Sequence, residues 1–238
     1  AGLVLIGARS RATEEYRITV GRILRTLRTG RAGRAGTGNL LMVTSARPGE
    51  GKSFSALNLA ASIAQNGLAE VLLVDVDGKR RSISAELGLG GRSGLLDLAA
   101  DPSLRPETVV VKSAVDGLSV VPHGTSAGEA GVRAASASAG TGVTRAVGIA
   151  IERLGRRFPH HVVMLDTAPC LSTSDPSALA PLVDGTVVVV EAQRTQKSEL
   201  EAALDLVRAC PNVTLVLNKI QLVERHSFGS YYYFDEAP

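Results

Sequence analysis

Five side chains have the types and spacing to handle a phosphorylated ligand: Lys52, Ser53, Asp75, Asp77 and Asp166. Lys52 and Ser53 close the stretch LLMVTSARPGEGKS, Leu40–Ser53. Its apolar start (Leu40, Leu41, Met42, Val43) reads as a buried strand, Pro48, Gly49 and Gly51 as a loop, and Phe54–Ala64 as a helix. Strand, glycine loop, Gly-Lys-Ser and helix in that order describe a phosphate-binding P-loop. Gly49 and Gly51 lack a Cβ, so backbone N–H groups can close around phosphate oxygens. The start of the following helix adds its positive dipole end. Lys52 is then expected at the β- and γ-phosphates and the Ser53 hydroxyl on Mg²⁺. The full pattern has Gly where Ala46 stands, so the match is one residue short.

The carboxylates come from other strands. Asp75 and Asp77 end the run VLLVDVD, Val71–Asp77, and two-residue spacing points both to one side of an extended strand. Ligands of doubly wound sheets gather at the carboxyl ends of strands. There the two serve as metal ligands or as a base for a magnesium nucleotide, or they simply form a turn. The Gly78-Lys79-Arg80-Arg81 that follows either neutralises phosphate or is solvated. Asp166 ends HVVMLD, His161–Asp166, the Walker B position of a P-loop protein, whose Asp holds Mg²⁺ directly or through water.

Positioning these groups requires a sheet. Gly117–Pro122 reads as a short strand, GTVVVVE (Gly185–Glu191) as a strong central one, and NVTLVLN (Asn212–Asn218) as the last. Helices are expected over Ser93–Ala100, Val143–Arg157 and Lys197–Ala209, with a short one opened by Asp175. His123–Gly142, rich in Gly, Ala and Ser, reads as a loop or poorly ordered segment, with a weak helix possible. The alternation of strand and helix argues an α/β fold, a mostly parallel sheet with helices on both faces. Asn218, at the tip of the last strand, could read an adenine edge or form an ordinary turn.

A length of 238 residues fits one α/β domain. Residues 1–38 form a basic helix and linker, 39–220 the domain, and 221–238 a tail. Hydrophobic residues at 45% suffice for a core, but aromatics at 3% leave Val, Leu, Ile and Ala to fill it. Cys170 and Cys210 are expected as free thiols in a reducing cytoplasm. No apolar run approaches the ~20 residues of a membrane span. Ala1–Gly7 is far too short, and the chain does not begin with Met, so any membrane segment is expected outside this sequence. His160 and His161 lack the further spaced ligands of a metal site.

Net charge is +3, unevenly placed: residues 1–34 carry eight Arg against Glu14 and Glu15, +6, which leaves −3 for the rest. Thr13 is expected to cap a helix with Glu14 and Glu15 in its first turn and Tyr16, Val20, Ile23, Leu24 and Leu27 on one face. Its arginines are either solvated or a basic face for anionic lipid or a partner subunit. No aromatics interleave with them, which argues against nucleic acid. Arg28–Asn39 reads as a flexible linker. The tail holds Tyr231, Tyr232 and Tyr233, three of four tyrosines in the chain, as a docking patch, a disordered end or a set of substrates.

With these motifs in order, Ser45–Ser53, Val71–Arg80 and Val162–Pro169 followed by a terminal tyrosine cluster, the chain resembles the cytoplasmic domain of bacterial tyrosine kinases (BY-kinases) of the polysaccharide co-polymerase type. Those domains are similar in fold to the MinD and ParA ATPases, not to eukaryotic kinases. The resemblance covers nearly the whole chain, from Glu14 to the tail. It implies ATP-dependent tyrosine autophosphorylation that regulates capsule or exopolysaccharide export, with ATP and Mg²⁺ as cofactors. It places Arg47, Pro48, Gly49, Glu50, Gly51, Lys52, Ser53, Phe54 and Asn218 on the nucleotide, and Ser53, Asp77 and Asp166 on Mg²⁺. Lys52, Asp75, Asp77 and Asp166 become catalytic, Asp75 as acceptor of the tyrosine proton, and Tyr231, Tyr232 and Tyr233 the phosphoacceptors. It further implies a homo-oligomer at the inner face of the cell membrane, held by a membrane-embedded co-polymerase or by a membrane segment of its own. The family's oligomer motif Glu-x-x-Arg-x-x-Arg falls on Glu14, Arg17 and Val20, so its last Arg is missing and weaker assembly is expected. Lys79 stands where Arg is usual, and Arg81 and Ala168 where Pro is usual. Two other readings share the motifs: a dimeric MinD/ParA-like ATPase switch, in which the place of the partner-reaching lysine is taken here by Arg47, and a non-catalytic nucleotide-binding adaptor.

Overall fold

The computed structural model describes residues 11–30, 38–79, 81–138 and 142–220. In chain order these form α1 (Arg11–Gly30), β1 (Leu40–Ser45), α2 (Lys52–Gln65), β2 (Glu70–Asp75), α3 (Ile83–Glu86), α4 (Leu95–Ala100), a 3₁₀ turn (Pro106–Val109), β3 (Val111–Lys112), β4 (Leu118–Val121) and α5 (Ser126–Ser138). They continue through α6 (Val143–Arg157), β5 (His161–Asp166), α7 (Asp175–Leu179), β6 (Gly185–Glu191), α8 (Lys197–Leu206) and β7 (Val213–Asn218).

The strands lie in the order β3-β4-β2-β5-β1-β6-β7, every neighbouring pair parallel except β3 with β4. Both faces are covered, which is why the inner strands carry continuous apolar runs, such as Leu40–Val43 and Val162–Leu165, rather than alternating ones. Alternate residues of one strand therefore enter two different cores. Leu73, Met164 and Val187 meet Ile23 of α1 and Leu59 and Ile63 of α2; Leu72, Leu165 and Val188 share the opposite core with Leu98 of α4 and Ile151 and Leu154 of α6. The fold is the α/β, mostly parallel sheet expected.

Several elements differ from the expectation. β6 is not central: it lies between β1 and β7, and β5 is the middle strand. Its run of valines reflects cover on both faces, not position in the order. β2 stops at Asp75, and Asp77 follows in a bend, so the same-side argument for the two carboxylates does not apply. Residues 126–138 form α5, the weaker of the alternatives open to that stretch; Val132 is buried, and Gly128 packs so close to α4 that a Cβ would lie 2.7 Å from the Asp97 carboxyl carbon. α8 ends at Leu206, three residues before Ala209, because Val207–Ala209 turn toward β7.

α1 buries the expected stripe, Val20, Ile23 and Leu27, while Arg17, Arg22 and Arg25 are exposed. Arg11–Gly30 is helical throughout, so Thr13 lies within the helix rather than at a cap, and the helix runs on to Gly30, into the expected linker. Val20 is fully buried, whereas Arg17 and Glu14 pair with each other on the surface at 2.7 Å. The residue that departs from the oligomer motif is thus a packing residue. Residues 31–37 of the linker and the tail, 221–238, lie outside the described residues.

Candidate functional site

β1 delivers the chain to the loop at the carboxyl edge of the sheet. Ala46, where the full pattern has Gly, is completely buried, and among the described residues only Gln193 and Lys219 are non-glycines with positive φ. Nothing in that conformation demands Gly at 46. The loop does demand it at Gly49 and Gly51, with φ of 87° and 93°. At Gly51 the approach is also close: a Cβ would lie 2.2 Å from Asn218 Nδ2.

Lys52 opens α2, and its side chain is only 13% exposed. Its Nζ donates to Asp77 Oδ2 at 2.7 Å and to Ser53 Oγ at 3.2 Å, and lies 3.7 Å from Asp166 Oδ1. Lys79 Nζ sits 3.1 Å from the other Asp77 oxygen. Lys52, Ser53, Asp77 and Asp166 are therefore brought together as expected. Lys52 is thus a largely buried counter-ion to two carboxylates.

Asp166 and Asp75 face each other on β5 and β2. Asp166 is fully buried, and neither of its oxygens accepts a hydrogen bond of normal geometry. Burial pushes its carboxyl up to about 7; the Lys52 ammonium and the nearby Ser53 hydroxyl oppose this, and the charges of Asp75 and Asp77 add to it. Asp75, equally buried, accepts from the backbone amides of Ser84 at 2.8 Å and Gly78 at 3.2 Å. It lies in the same cleft but is already satisfied by the chain that turns over it.

Among the described residues no group of three His, Cys, Asp or Glu side chains is assembled to hold a metal. A magnesium nucleotide does not require one, because phosphate and water supply most of the octahedral shell. Ser53, Asp77 and Asp166 fit that smaller role. The unpartnered buried oxygens of Asp166 are the observation in favour, since a buried carboxylate without donors is rare unless a cation or proton completes it.

The rest of the loop is held from outside. Glu50 is buried; its carboxylate accepts from the Arg47 amide at 2.7 Å and from the Thr195 hydroxyl, so it braces the loop. Arg47 pairs with Glu199 of α8 at 3.1 Å, Pro48 is exposed, and Phe54 stands exposed on the first turn of α2. Asn218 Nδ2 donates to the Glu50 carbonyl at 2.9 Å, a contact distinct from both roles considered for it. Lys219 Nζ donates to the Gly49 carbonyl at 2.7 Å and lies 3.2 Å from Glu191 Oε2. Thr195, Glu191, Lys219 and Ser84 escaped sequence reasoning. The Glu50–Thr195 bond joins residues 145 positions apart, and no local pattern announces it. Tyr231, Tyr232 and Tyr233 lie outside the described residues.

Beside Asp77, a cavity of about 190 Å³ opens between His123 and an apolar wall that includes Leu95, Leu96, Val132 and Val147. Gly78 makes room for His123: a Cβ there would lie 2.2 Å from the ring Nε2.

No protein-family model matches the chain. The tyrosine-protein kinase YwqD of Bacillus subtilis is 28% identical over 80% of this chain and 76% of its own. The putative tyrosine-protein kinase CapB of Staphylococcus aureus is 27% identical over 82% of this chain and 81% of its own. The putative tyrosine-protein kinase EpsB of Ralstonia nicotianae is 32% identical over 70% of this chain, which spans only 20% of that longer protein. Among solved structures, the kinase domain of Escherichia coli tyrosine kinase ETK superposes with a TM-score of 0.69 over 95% of this chain and 82% of that one, at 22% identity. The MinC:MinD complex of Aquifex aeolicus gives 0.56 over 77% and 69%, at 18% identity. The sequence relatives show that the chain belongs to the bacterial tyrosine-kinase (BY-kinase) domain family, and the structural likenesses show that it shares its fold with the MinD-type P-loop ATPases.

Proposed function

We propose that the chain is an ATP-dependent protein-tyrosine kinase domain that phosphorylates tail tyrosines such as its own Tyr231, Tyr232 and Tyr233. The observation that carries this reading is the convergence of Lys52, Ser53, Asp77 and Asp166 beside a cavity open to an acceptor side chain. Magnesium-ATP, when bound, supplies the transferable phosphoryl group and a cation that offsets its charge. Lys52 and the loop amides from Gly49 to Ser53 hold the phosphates, with Arg47, Pro48, Phe54 and Asn218 around the rest of the nucleotide. Ser53, Asp77 and Asp166 hold the cation. Asp75 keeps a second lone pair on each oxygen beyond its amide bonds, and there it accepts the tyrosine proton. The cavity exceeds the ~150 Å³ that admits a benzene ring, and Asp77 lies on its wall.

The setting is capsule or exopolysaccharide synthesis and export. The succinoglycan biosynthesis transport protein ExoP of Rhizobium meliloti, 27% identical over 81% of this chain, supports it. The partner is a membrane-embedded co-polymerase, or a membrane segment beyond this sequence, with a homo-oligomer at the inner membrane face. Among the described residues no helix is long and apolar enough to cross a membrane. A second reading, a dimeric ATPase switch, is favoured by the exposed Arg47 on the loop and by the fold of an ATP complex of a McdA variant from Cyanothece (TM-score 0.54, 18% identity).

Incubation with γ-labelled ATP and Mg²⁺ separates them. Label on tyrosine is expected, and it should vanish in the Tyr231→Phe, Tyr232→Phe, Tyr233→Phe triple variant while ATP binding persists. Hydrolysis without tyrosine label selects the switch; binding without turnover selects a nucleotide-binding adaptor. Label that survives in the triple variant would leave Tyr16 as the acceptor, since the chain has four tyrosines. Tyr16 is half-buried on α1, and burial holds its hydroxyl above the usual phenol range.

A further inference from the structure

We propose that Lys219 and Asn218, consecutive residues at the end of β7, are positioning residues that aim the loop amides at phosphate and couple the loop to the strand that leads into the tyrosine segment. This rests on the loop being a phosphate site, not on the kinase reading. Asn218 Nδ2 holds the carbonyl of Glu50 at 2.9 Å, and Lys219 Nζ holds that of Gly49 at 2.7 Å. A peptide unit is planar and trans, so its C=O and the next N–H point in opposite directions. Fixing two successive carbonyls toward β7 turns the N–H groups of Glu50 and Gly51 away from it, to the inner side of the loop. Donors held in place before the ligand arrives cost no reorganisation when it binds.

Three further features fit a built device. Lys219 takes a φ of 58°, a conformation uncommon outside glycine. Its ammonium is balanced by Glu191 Oε2 at 3.2 Å, so it acts as a tethered donor more than as a free cation awaiting phosphate. The close approach of Asn218 to Gly51 leaves no space for a Cβ. β7 then ends, and the chain continues from Ile220 toward Tyr231. Whatever orders the loop also orders this strand end, and by linkage the reverse holds.

The test is Mg-ADP and Mg-ATP affinity of the whole chain and of Lys219→Met, Lys219→Gln and Lys219→Arg. The Met and Gln variants are expected to bind about tenfold more weakly, a loss of one charge-assisted hydrogen bond. Arg should recover most of it. The loss should persist at about 1 M salt, where the screening length falls to about 3 Å. Amide exchange over residues 215–219 should slow on adding nucleotide in the parent chain and not in Lys219→Met. Unchanged affinity in folded Met and Gln variants overturns the proposal. So does a loss that disappears in high salt, which would make Lys219 a bare charge. A parent chain that binds no nucleotide overturns the phosphate site along with it. A chain that binds nucleotide but modifies no tyrosine leaves the proposal standing and removes only the kinase reading.

Discussion

Asp75 and Asp166 stand opposite each other on adjacent strands, both fully buried, and the protein treats them in opposite ways. Asp75 receives two backbone amides from the segment that follows β2, and its negative charge is met within the fold. Asp166 receives no hydrogen bond of normal geometry; the Lys52 ammonium at 3.7 Å and the nearby Ser53 hydroxyl offset its charge. A buried carboxylate with donors is a structural joint, whereas one without them is held ready for a cation or a proton. The difference assigns Asp75 to geometry first and Asp166 to the ligand first, although the two occupy equivalent places in the sheet.

Removing the charge from each in turn gives the largest expected effect. Asp166→Asn should lower magnesium-dependent turnover by about a thousandfold, the scale of losing a key electrostatic group. Its melting temperature should hold or rise, since an uncompensated buried charge is gone. Asp75→Asn should lose tyrosine transfer too, since the proton acceptor is gone. Unlike Asp166→Asn, it should also lose stability, because an amide NH₂ would face one of two backbone donors. About 2–3 kcal/mol of stability should be lost, or roughly 5–10 °C in a chain of this size. Thermal melts beside a turnover assay decide it. An Asp75→Asn protein that melts like the parent would break the contrast.

Next in size is the pH dependence of the same pair. The carboxyl of Asp166 has an ordinary value of 3.8 and rises to about 7 when folded, so the native state binds the proton more tightly than the unfolded one. Its contribution to stability is therefore full below the lower value and is lost as pH climbs through the upper. The total is on the order of 4 kcal/mol. Cation binding requires the deprotonated form, so Mg-nucleotide affinity should increase with pH up to neutrality and then level. Calorimetric titration over that window should show the slope in the parent chain and a flat line in Asp166→Asn. A slope that survives the substitution would assign the proton to another group.

The smallest test acts on the joint that holds Asp75. Gly78 donates one of its two amides, with φ at 59° and the His123 ring where a Cβ would go. Gly78→Ala should cost about 1–2 kcal/mol through strain and displacement of the ring. Asp166 sits on another strand, so Asp166→Asn and Gly78→Ala should add in a denaturant series. Marked non-additivity would show that the two carboxylates are one unit.

The loop was legible because its chemistry is local: Gly-x-Gly-Lys-Ser between an apolar run and a helix is read within one window, and Lys52, Ser53, Asp77 and Asp166 meet as that reading requires. β5 and α6 were legible to the residue, since apolar periodicity and length agree there. α5 was less so, because a stretch of Gly, Ala and Ser carries little periodicity, and close contacts such as Gly128 with Asp97 and Gly131 with Ala100, which fasten it to α4 beside the buried Val132, depend on the fold.

The sequence by itself determined the fold class, the loop and the carboxylates at the strand ends, because each is a matter of neighbours along the chain. Only the tertiary structure decided that β6 lies off centre, that Val20 is core, and that Glu50 turns inward to Thr195. The same holds for Asn218 and Lys219, which reach back across most of the chain to the loop carbonyls. Asp75 and Asp166 look alike in sequence, each closing an apolar strand. They part only where backbone amides from residues 78 and 84 fold over one and leave the other bare, and whether a buried charge is satisfied depends on which donors surround it in space.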